Sequence, residues 1–241
     1  MASLSLTAQR ALAGMKRLLL LRGLDVHFVR SKYAWLKQHH IQTIFDVGAN
    51  IGSFSTIVHM VLPDATIYAF EPLRECYEQM VKRLHRVSSF HGFNMALGEE
   101  EGQAPIWQSS FDQASSLLPM GDLHMEAFPS TARFTREQVE VRTLDAMAHR
   151  LDISDNILVK LDVQGFEDRV IAGGRKVIER AHILIVETSF RELYRGQKLF
   201  GEIYTLLRDL GFSYHGCVGQ VVDPRDGSAL QADSVFLKSG A

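Results

Sequence analysis

From residue 41 onward, short apolar runs alternate with segments of helical spacing, and this alternation constrains the fold more than any other feature of the chain. Strands that take turns with helices are the mark of βαβ units, and such units build parallel sheets. Strands are expected at 42–47, 66–70, 88–96, 157–163 and 183–187, and helices over 53–62, 73–86, 145–150, 166–180 and 200–210. Extended segments at 213–222 and 234–238 flank Asp223-Pro224-Arg225-Asp226-Gly227, whose residue types signal a turn. The expected fold class is therefore α/β, a doubly wound and mostly parallel sheet with an antiparallel C-terminal edge. Residues 98–136 break the pattern, because Pro119, Gly121 and Pro129 interrupt any long element; the segment reads as an irregular lid over a substrate, with order resuming at 139–142.

No repeat, low-complexity tract or long linker divides the 241 residues, so one domain is expected over 41–241, preceded by an N-terminal helical extension over 1–40. In that extension Leu4, Ala8, Ala11, Met15, Leu18 and Leu19 recur at helical spacing, with Gly23 as a stop. The apolar run at 18–21, after Lys16 and Arg17, is too short to span a bilayer, and no small-residue cleavage site follows it. This helix either packs on the domain or on a second subunit of a homodimer, or attaches shallowly to a membrane surface. A formal charge of −2 gives no general attraction to phosphate backbones, so nucleic acid is not an expected partner. Cys76 and Cys217 are the only cysteines and form no metal-ligand spacing, which implies neither disulfides nor structural zinc and suits a reducing cytoplasm. The ten histidines include no HExxH; His39 and His40 are placed at a helix end, and His124 is expected to face solvent rather than a pocket. Lys82, Arg83 and Arg86 read as a solvated helix face.

The chemistry concentrates at Ile44-Phe45-Asp46-Val47-Gly48-Ala49-Asn50-Ile51-Gly52, where a buried strand enters a helix through two glycines. Ligands of open α/β sheets bind at the carboxyl ends of strands. Gly48 and Gly52 are expected to permit a tight turn and close approach of a ligand to the backbone. Glu71, at the end of the next strand, can accept hydrogen bonds from both hydroxyls of a ribose, so the pair of features points to a nucleoside. A dinucleotide site would show G-x-G-x-x-G around its pyrophosphate, whereas this turn reads G-x-N-x-G. Asp46 would repel a pyrophosphate but suits the ammonium of a methionine moiety, which favours S-adenosylmethionine over a nicotinamide nucleotide.

Five ordered segments carry a resemblance: Asp46-Val47-Gly48-Ala49-Asn50-Ile51-Gly52-Ser53-Phe54-Ser55, Phe70-Glu71-Pro72, Asn94-Met95-Ala96-Leu97-Gly98, Thr143-Leu144-Asp145, and Leu158-Val159-Lys160-Leu161-Asp162-Val163-Gln164-Gly165-Phe166-Glu167. Together they resemble the FkbM family of methyltransferases, from about residue 41 to the C-terminus. The resemblance implies a Rossmann-like class I methyltransferase fold, S-adenosylmethionine as donor, and O-methylation of a small-molecule hydroxyl on a sugar or other secondary metabolite. It places Asp46, Gly48, Asn50 and Gly52 around the methionine part, Glu71 on the ribose, and Asn94, Ala96 and Leu97 near the adenine. Gln113-Ala114-Ser115-Ser116-Leu117 resembles a serine-containing loop of the family, so Ser115 and Ser116 border the cofactor or merely terminate structure as a polar loop.

Methyl transfer to oxygen needs an aligned acceptor and a group that takes the hydroxyl proton. Asp162, at the end of the 157–163 strand, has three readings: general base, ligand of a divalent cation, or helix cap. The family reads D-x-E-G here, and this chain has Asp162-Val163-Gln164-Gly165. Glutamine is no carboxylate base and no charged metal ligand. Glu167, which matches the family's second acidic position, and Glu187, at the end of the 183–187 strand, are the remaining candidates; Glu187 otherwise pairs with a helix or with Lys160. Competing functions fit less well. No Asn-Pro-Pro-Tyr-like motif supports nucleic-acid methylation, and no Tyr-x-x-x-Lys pair supports a nicotinamide-dependent enzyme. A cofactor-binding module without turnover stays open because of Gln164.

Overall fold

The computed structural model describes residues 32–109, 114–128 and 134–240. The expected helix over 4–22 and most of the N-terminal extension lie outside them. A 3-10 turn, Ala34–His39, leads into β1 (Thr43–Val47), α1 (Ser53–Val61), β2 (Thr66–Phe70), α2 (Arg74–Leu84), β3 (Phe90–Phe93) and β4 (Ala96–Leu97). β5 (Gly102–Ser109), α3 (Asp122–Ala127), β6 (Phe134–Arg142), α4 (Leu144–Ala148) and β7 (Ile157–Leu161) follow. The chain ends through α5 (Glu167–Gly173), α6 (Arg175–Arg180), β8 (Ala181–Ser189), α7 (Phe200–Asp209), β9 (Phe212–Val222) and β10 (Ala229–Lys238). Among the described residues no helix is long and apolar enough to cross a membrane.

Seven strands form one sheet in the order β3-β2-β1-β7-β8-β10-β9. The β1–β2, β1–β7, β2–β3 and β7–β8 pairs are parallel, and β10 inserts antiparallel between β8 and β9. The central strands are apolar on both faces because both are covered. Phe45, Val47, Tyr68, Phe70, Val159, Leu161, Leu184 and Val186 join one core cluster with residues of α5, α6 and α7. Their neighbours Ile44, Ile67, Ala69, Leu158, Ile183 and Ile185 join a second, with Phe54 and Val58 of α1 and Met80 and Leu84 of α2. Successive strand residues point to opposite faces, so a continuous apolar run is what a doubly covered sheet demands.

The register sets the site. Val47 pairs with Phe70 and with Leu161, and Leu161 pairs with Val186. The next residue of each strand therefore falls in one row along the carboxyl edge: Gly48, Glu71, Asp162 and Glu187. Asp233, opposite Glu187 on β10, extends that row.

Three expectations change. The strand over 88–96 is two: β3 stays in the main sheet, and β4 leaves it for a second sheet of order β4-β6-β5. The supposedly irregular 98–136 segment contributes β5 and the start of β6, paired antiparallel from Gly102↔Val141 to Ser109↔Phe134. Only Val139 and Val141 are buried along β6, so this mostly solvated ribbon lacks the apolar alternation that marks a strand. Pro105 is accommodated because β5 is an edge strand. The single helix expected over 166–180 breaks at Gly173 and Gly174, where a side chain at Gly173 would collide with the carbonyl oxygen of Gly98, 1.9 Å away.

Candidate functional site

A cavity of about 560 Å³ opens along the row of strand ends, lined by Asp46, Gly48, Asn50, Glu71, Asp162 and Glu187 together with residues of the 114–128 segment. The two glycines have φ of 78° and 76°, the left-handed region that favours glycine. The space that a side chain would take at each is already filled by protein. A Cβ at Gly48 would stand 1.8 Å from the Asp162 carbonyl oxygen, and one at Gly52 2.8 Å from Cγ of Met80. Their role is to let the turn after β1 pack on the end of β7 and on α2.

Glu71 is held by two backbone donors: Asn50 N to Oε2 and Leu73 N to Oε1, both at 2.8 Å. Asp46 is fully buried; Oδ2 accepts the Ser55 hydroxyl at 2.6 Å, while Oδ1 has no hydrogen-bond partner among the described residues. Burial raises the Asp46 pKa, against the pull of Lys160 and the Ser55 hydroxyl. Met95, Ala96 and Leu97 line the cavity. Asn94 turns its side chain to the backbone instead, its amide donating to the Glu71 and Pro72 carbonyls at 2.9 and 2.8 Å. It fixes the loop that carries Glu71. Ser115 and Ser116 also line the cavity. The Ser115 hydroxyl accepts from Ser109 N at 3.0 Å, and the Ser116 hydroxyl donates to the Gln164 carbonyl at 2.7 Å, so both tie their loop to its neighbours.

At the other end Gln164 is the hub. Its backbone has φ of 55°, and its Nε2 donates to Asp162 Oδ1 at 2.9 Å and to Glu187 Oε2 at 2.7 Å. The Tyr194 hydroxyl donates to Gln164 Oε1 at 2.7 Å and thereby fixes which way the amide points. A glutamate here would set a third carboxylate against two others; glutamine bridges them. Asp162 Oδ2 is taken by Lys160 Nζ at 2.6 Å. Burial lowers the Lys160 pKa, but Asp162, Asp46 and Asp233 together raise it above its ordinary value, so the ammonium stays charged. Glu187 also accepts from Gln231 Nε2 at 3.0 Å. Burial, with Asp162, Glu167 and Asp233 nearby, pushes its pKa well above the carboxylate range.

The readings of Asp162 narrow accordingly. It caps no helix, since Phe166 precedes α5 and the Val163 and Gly165 amides are instead accepted by Glu167 Oε1 at 3.1 and 3.2 Å. Glu167 is thus a buried turn-former, its pKa pushed up to about 7 by burial, rather than a group presented to a substrate. A cation on Asp162 would have to displace the Lys160 ammonium, and no three acids, histidines or cysteines converge as metal ligands among the described residues. His124 does not face solvent: it is 5% exposed and lines the cavity.

Sequence reasoning passed over Lys160, Tyr194 and Gln231 as site residues. Lys160 had a signal, as the one ionisable side chain inside an apolar run that must be buried on both faces. Tyr194 and Gln231 had none, being brought in by loops and by the antiparallel strand.

Residues 46–214 match the family model described as the methyltransferase FkbM domain. A 2-O-methyltransferase, NoeI, of Sinorhizobium fredii is 26% identical over 170 residues, 68% of this chain and 70% of that protein. The 31-O-demethyl-FK506 methyltransferase FkbM of Streptomyces tacrolimicus is 28% identical over 194 residues, 70% of this chain and 72% of that protein. The crystal structure of methyltransferase FkbM from Methylobacillus flagellatus shares the fold, with a TM-score of 0.53 at 15% identity over 82% of this chain and 44% of that longer one. With the family model spanning the strand ends and turns that build the cavity, the chain belongs to the FkbM family of S-adenosylmethionine-dependent methyltransferases.

Proposed function

We propose that the chain methylates a hydroxyl oxygen of a small uncharged acceptor, a sugar or another hydroxylated metabolite, with Glu187 taking the hydroxyl proton. Bound S-adenosylmethionine supplies an electrophilic methyl group on a sulfonium. Asp46 Oδ1, buried without a partner among the described residues, suits its ammonium, and Asn50 lines the same cavity. Glu71, pre-aimed by two backbone amides, suits the ribose hydroxyls. Met95, Ala96 and Leu97 offer an apolar edge for the adenine.

The observation that carries the choice of base is the contrast between the two carboxylates bridged by Gln164. Asp162 is neutralised by a buried ammonium at 2.6 Å, whereas among the described residues Glu187 receives only neutral amide donors and has its pKa raised well above the ordinary value. A carboxylate of raised pKa is the stronger proton acceptor. The bound donor would give its methyl to the acceptor oxygen and leave as a neutral thioether, and Glu187 would take the hydroxyl proton that this oxygen gives up. Gln164 holds Glu187 in place, so the missing family glutamate does not leave the site without a base. The names of the Sinorhizobium and Streptomyces relatives both describe transfer to oxygen, in support of this reading.

Tritiated S-adenosylmethionine incubated with the protein and a small-molecule extract tests the proposal. Label recovered as a methoxy group, identified by proton NMR of the product, is the expected result. Label on nitrogen, on carbon or on nucleic acid would refute it.

A further inference from the structure

Among the described residues His124 is the one histidine that lines the cavity, and its surroundings there leave it unsatisfied. Its Nδ1 is buried with no hydrogen-bond partner among the described residues. The ring sits edge-on between Phe128, with centroids 5.4 Å apart, and Tyr194, 5.2 Å apart, both at 72°. Burial lowers its pKa, so the imidazole is neutral and offers one donor and one acceptor. Packing alone would be served by a phenylalanine. A buried polar nitrogen costs stability unless something satisfies it.

The helix that carries His124 is fastened on several sides. Gly121 N donates to the Leu193 carbonyl at 2.7 Å, Arg195 pairs with Asp122 at 3.0 Å, and Arg225 pairs with Glu126 at 3.1 Å. Tyr194 links this wall to the reacting end, because its hydroxyl fixes Gln164 and Gln164 bridges Asp162 and Glu187. The cations at the cavity are already matched: Lys160 with Asp162 and Lys32 with Asp233. Among the described residues no ammonium or guanidinium is hydrogen-bonded to Glu187, which receives Gln164 and Gln231 amides instead, so no unmatched cation is offered to an anionic acceptor there.

We infer that His124, backed by Phe128, forms an acceptor subsite for an uncharged ring bearing at least two hydroxyls: one reacts beside Glu187, and the imidazole hydrogen-bonds another. The inference rests on the hydroxyl-methylation reading above. Such a contact selects among acceptors by leaving a buried partner unpaired when the second hydroxyl is missing.

The test uses the full chain, labelled S-adenosylmethionine and named probes: methyl α-D-glucopyranoside, methyl α-L-fucopyranoside, their monodeoxy analogues, and the methyl glucuronide. His124→Phe keeps the aromatic packing and removes both nitrogens; His124→Gln keeps a hydrogen-bonding group. On the best glycoside His124→Phe is expected to raise KM about tenfold, the value of one hydrogen bond, with kcat changed less than about twofold. On the deoxy analogue that lacks the contacted hydroxyl the same substitution is expected to add nothing, because the partner is already gone. His124→Gln should recover part of the loss, S-adenosylhomocysteine affinity should hold in both variants, and the glucuronide should be the poorest acceptor. Unchanged KM in His124→Phe, an equal loss on every analogue, or loss of S-adenosylhomocysteine binding would overturn the subsite while hydroxyl transfer still stood. Transfer to none of the glycosides would overturn the subsite, and label on a non-oxygen atom would overturn the function beneath it.

Discussion

The two walls of the cavity are built differently. On the side proposed for the cofactor Glu71 is held by the Asn50 and Leu73 amides, Gly48 is wedged against the Asp162 carbonyl, and Met95 to Leu97 come from the crossing of β3 into β4. Backbone fixes each of these, and the sheet register fixes the backbone. On the side proposed for the acceptor the contacts run from side chain to side chain, from Lys160 to Asp162 to Gln164, and from there to Glu187 and Tyr194. A wall of backbone is common to every chain with the same fold, whereas a wall of side chains is rewritten by single substitutions.

Substitutions that move one wall without the other sharpen this contrast. Glu187→Gln keeps the hydrogen-bonding shape and removes the proposed base, and kcat is expected to fall about 10²- to 10⁴-fold with S-adenosylhomocysteine affinity unchanged by calorimetry. Equal loss of both would break the comparison. Gly48→Ala should act on the other wall through the backbone. Its Cβ would sit 1.8 Å from a carbonyl oxygen at a φ of 78°, and a loss of about 3 kcal/mol or more in denaturant unfolding is expected. Full native stability would show that the turn is softer than described.

The smallest expected effect is in the pH profile. Glu187 must lose its proton before it can accept one, and its raised pKa places the acidic limb of kcat/KM above the range of an ordinary carboxylate. Gln164→Glu adds negative charge beside it, which raises that pKa further and should carry the limb to still higher pH. A limb that stays put, or moves down, would contradict the assignment of Glu187 as base.

That Asp46, Gly48 and Glu71 share one cavity was legible in the sequence because they are neighbours in the chain or end consecutive strands. Asp46, Gly48 and Gly52 share one turn, and Glu71 ends the next strand. The reasons were less legible: the glycines serve protein packing, and Asn94 braces a loop instead of bordering the cavity. The acceptor wall was obscure because its partners are far apart in sequence. Gln164 reads as a missing acid until Glu187, 23 residues on, and Tyr194, 30 residues on, are seen to share its amide. Glu167 looked like a catalytic acid by position, but its backbone partners lie within four residues and hold it in a turn. His124 sits on a helix of six residues, too short for periodicity to show which side is buried. The β5–β6 ribbon escaped notice because so few of its residues are apolar and buried.

Calorimetric titration of S-adenosylhomocysteine into native protein, Glu71→Ala and Glu187→Gln measures the division of labour directly. The structure predicts that Glu71→Ala weakens binding about tenfold or more, as loss of a charged hydrogen-bonding group should, while Glu187→Gln binds like the native chain. An unchanged dissociation constant for Glu71→Ala, or an equal loss in both variants, would contradict it.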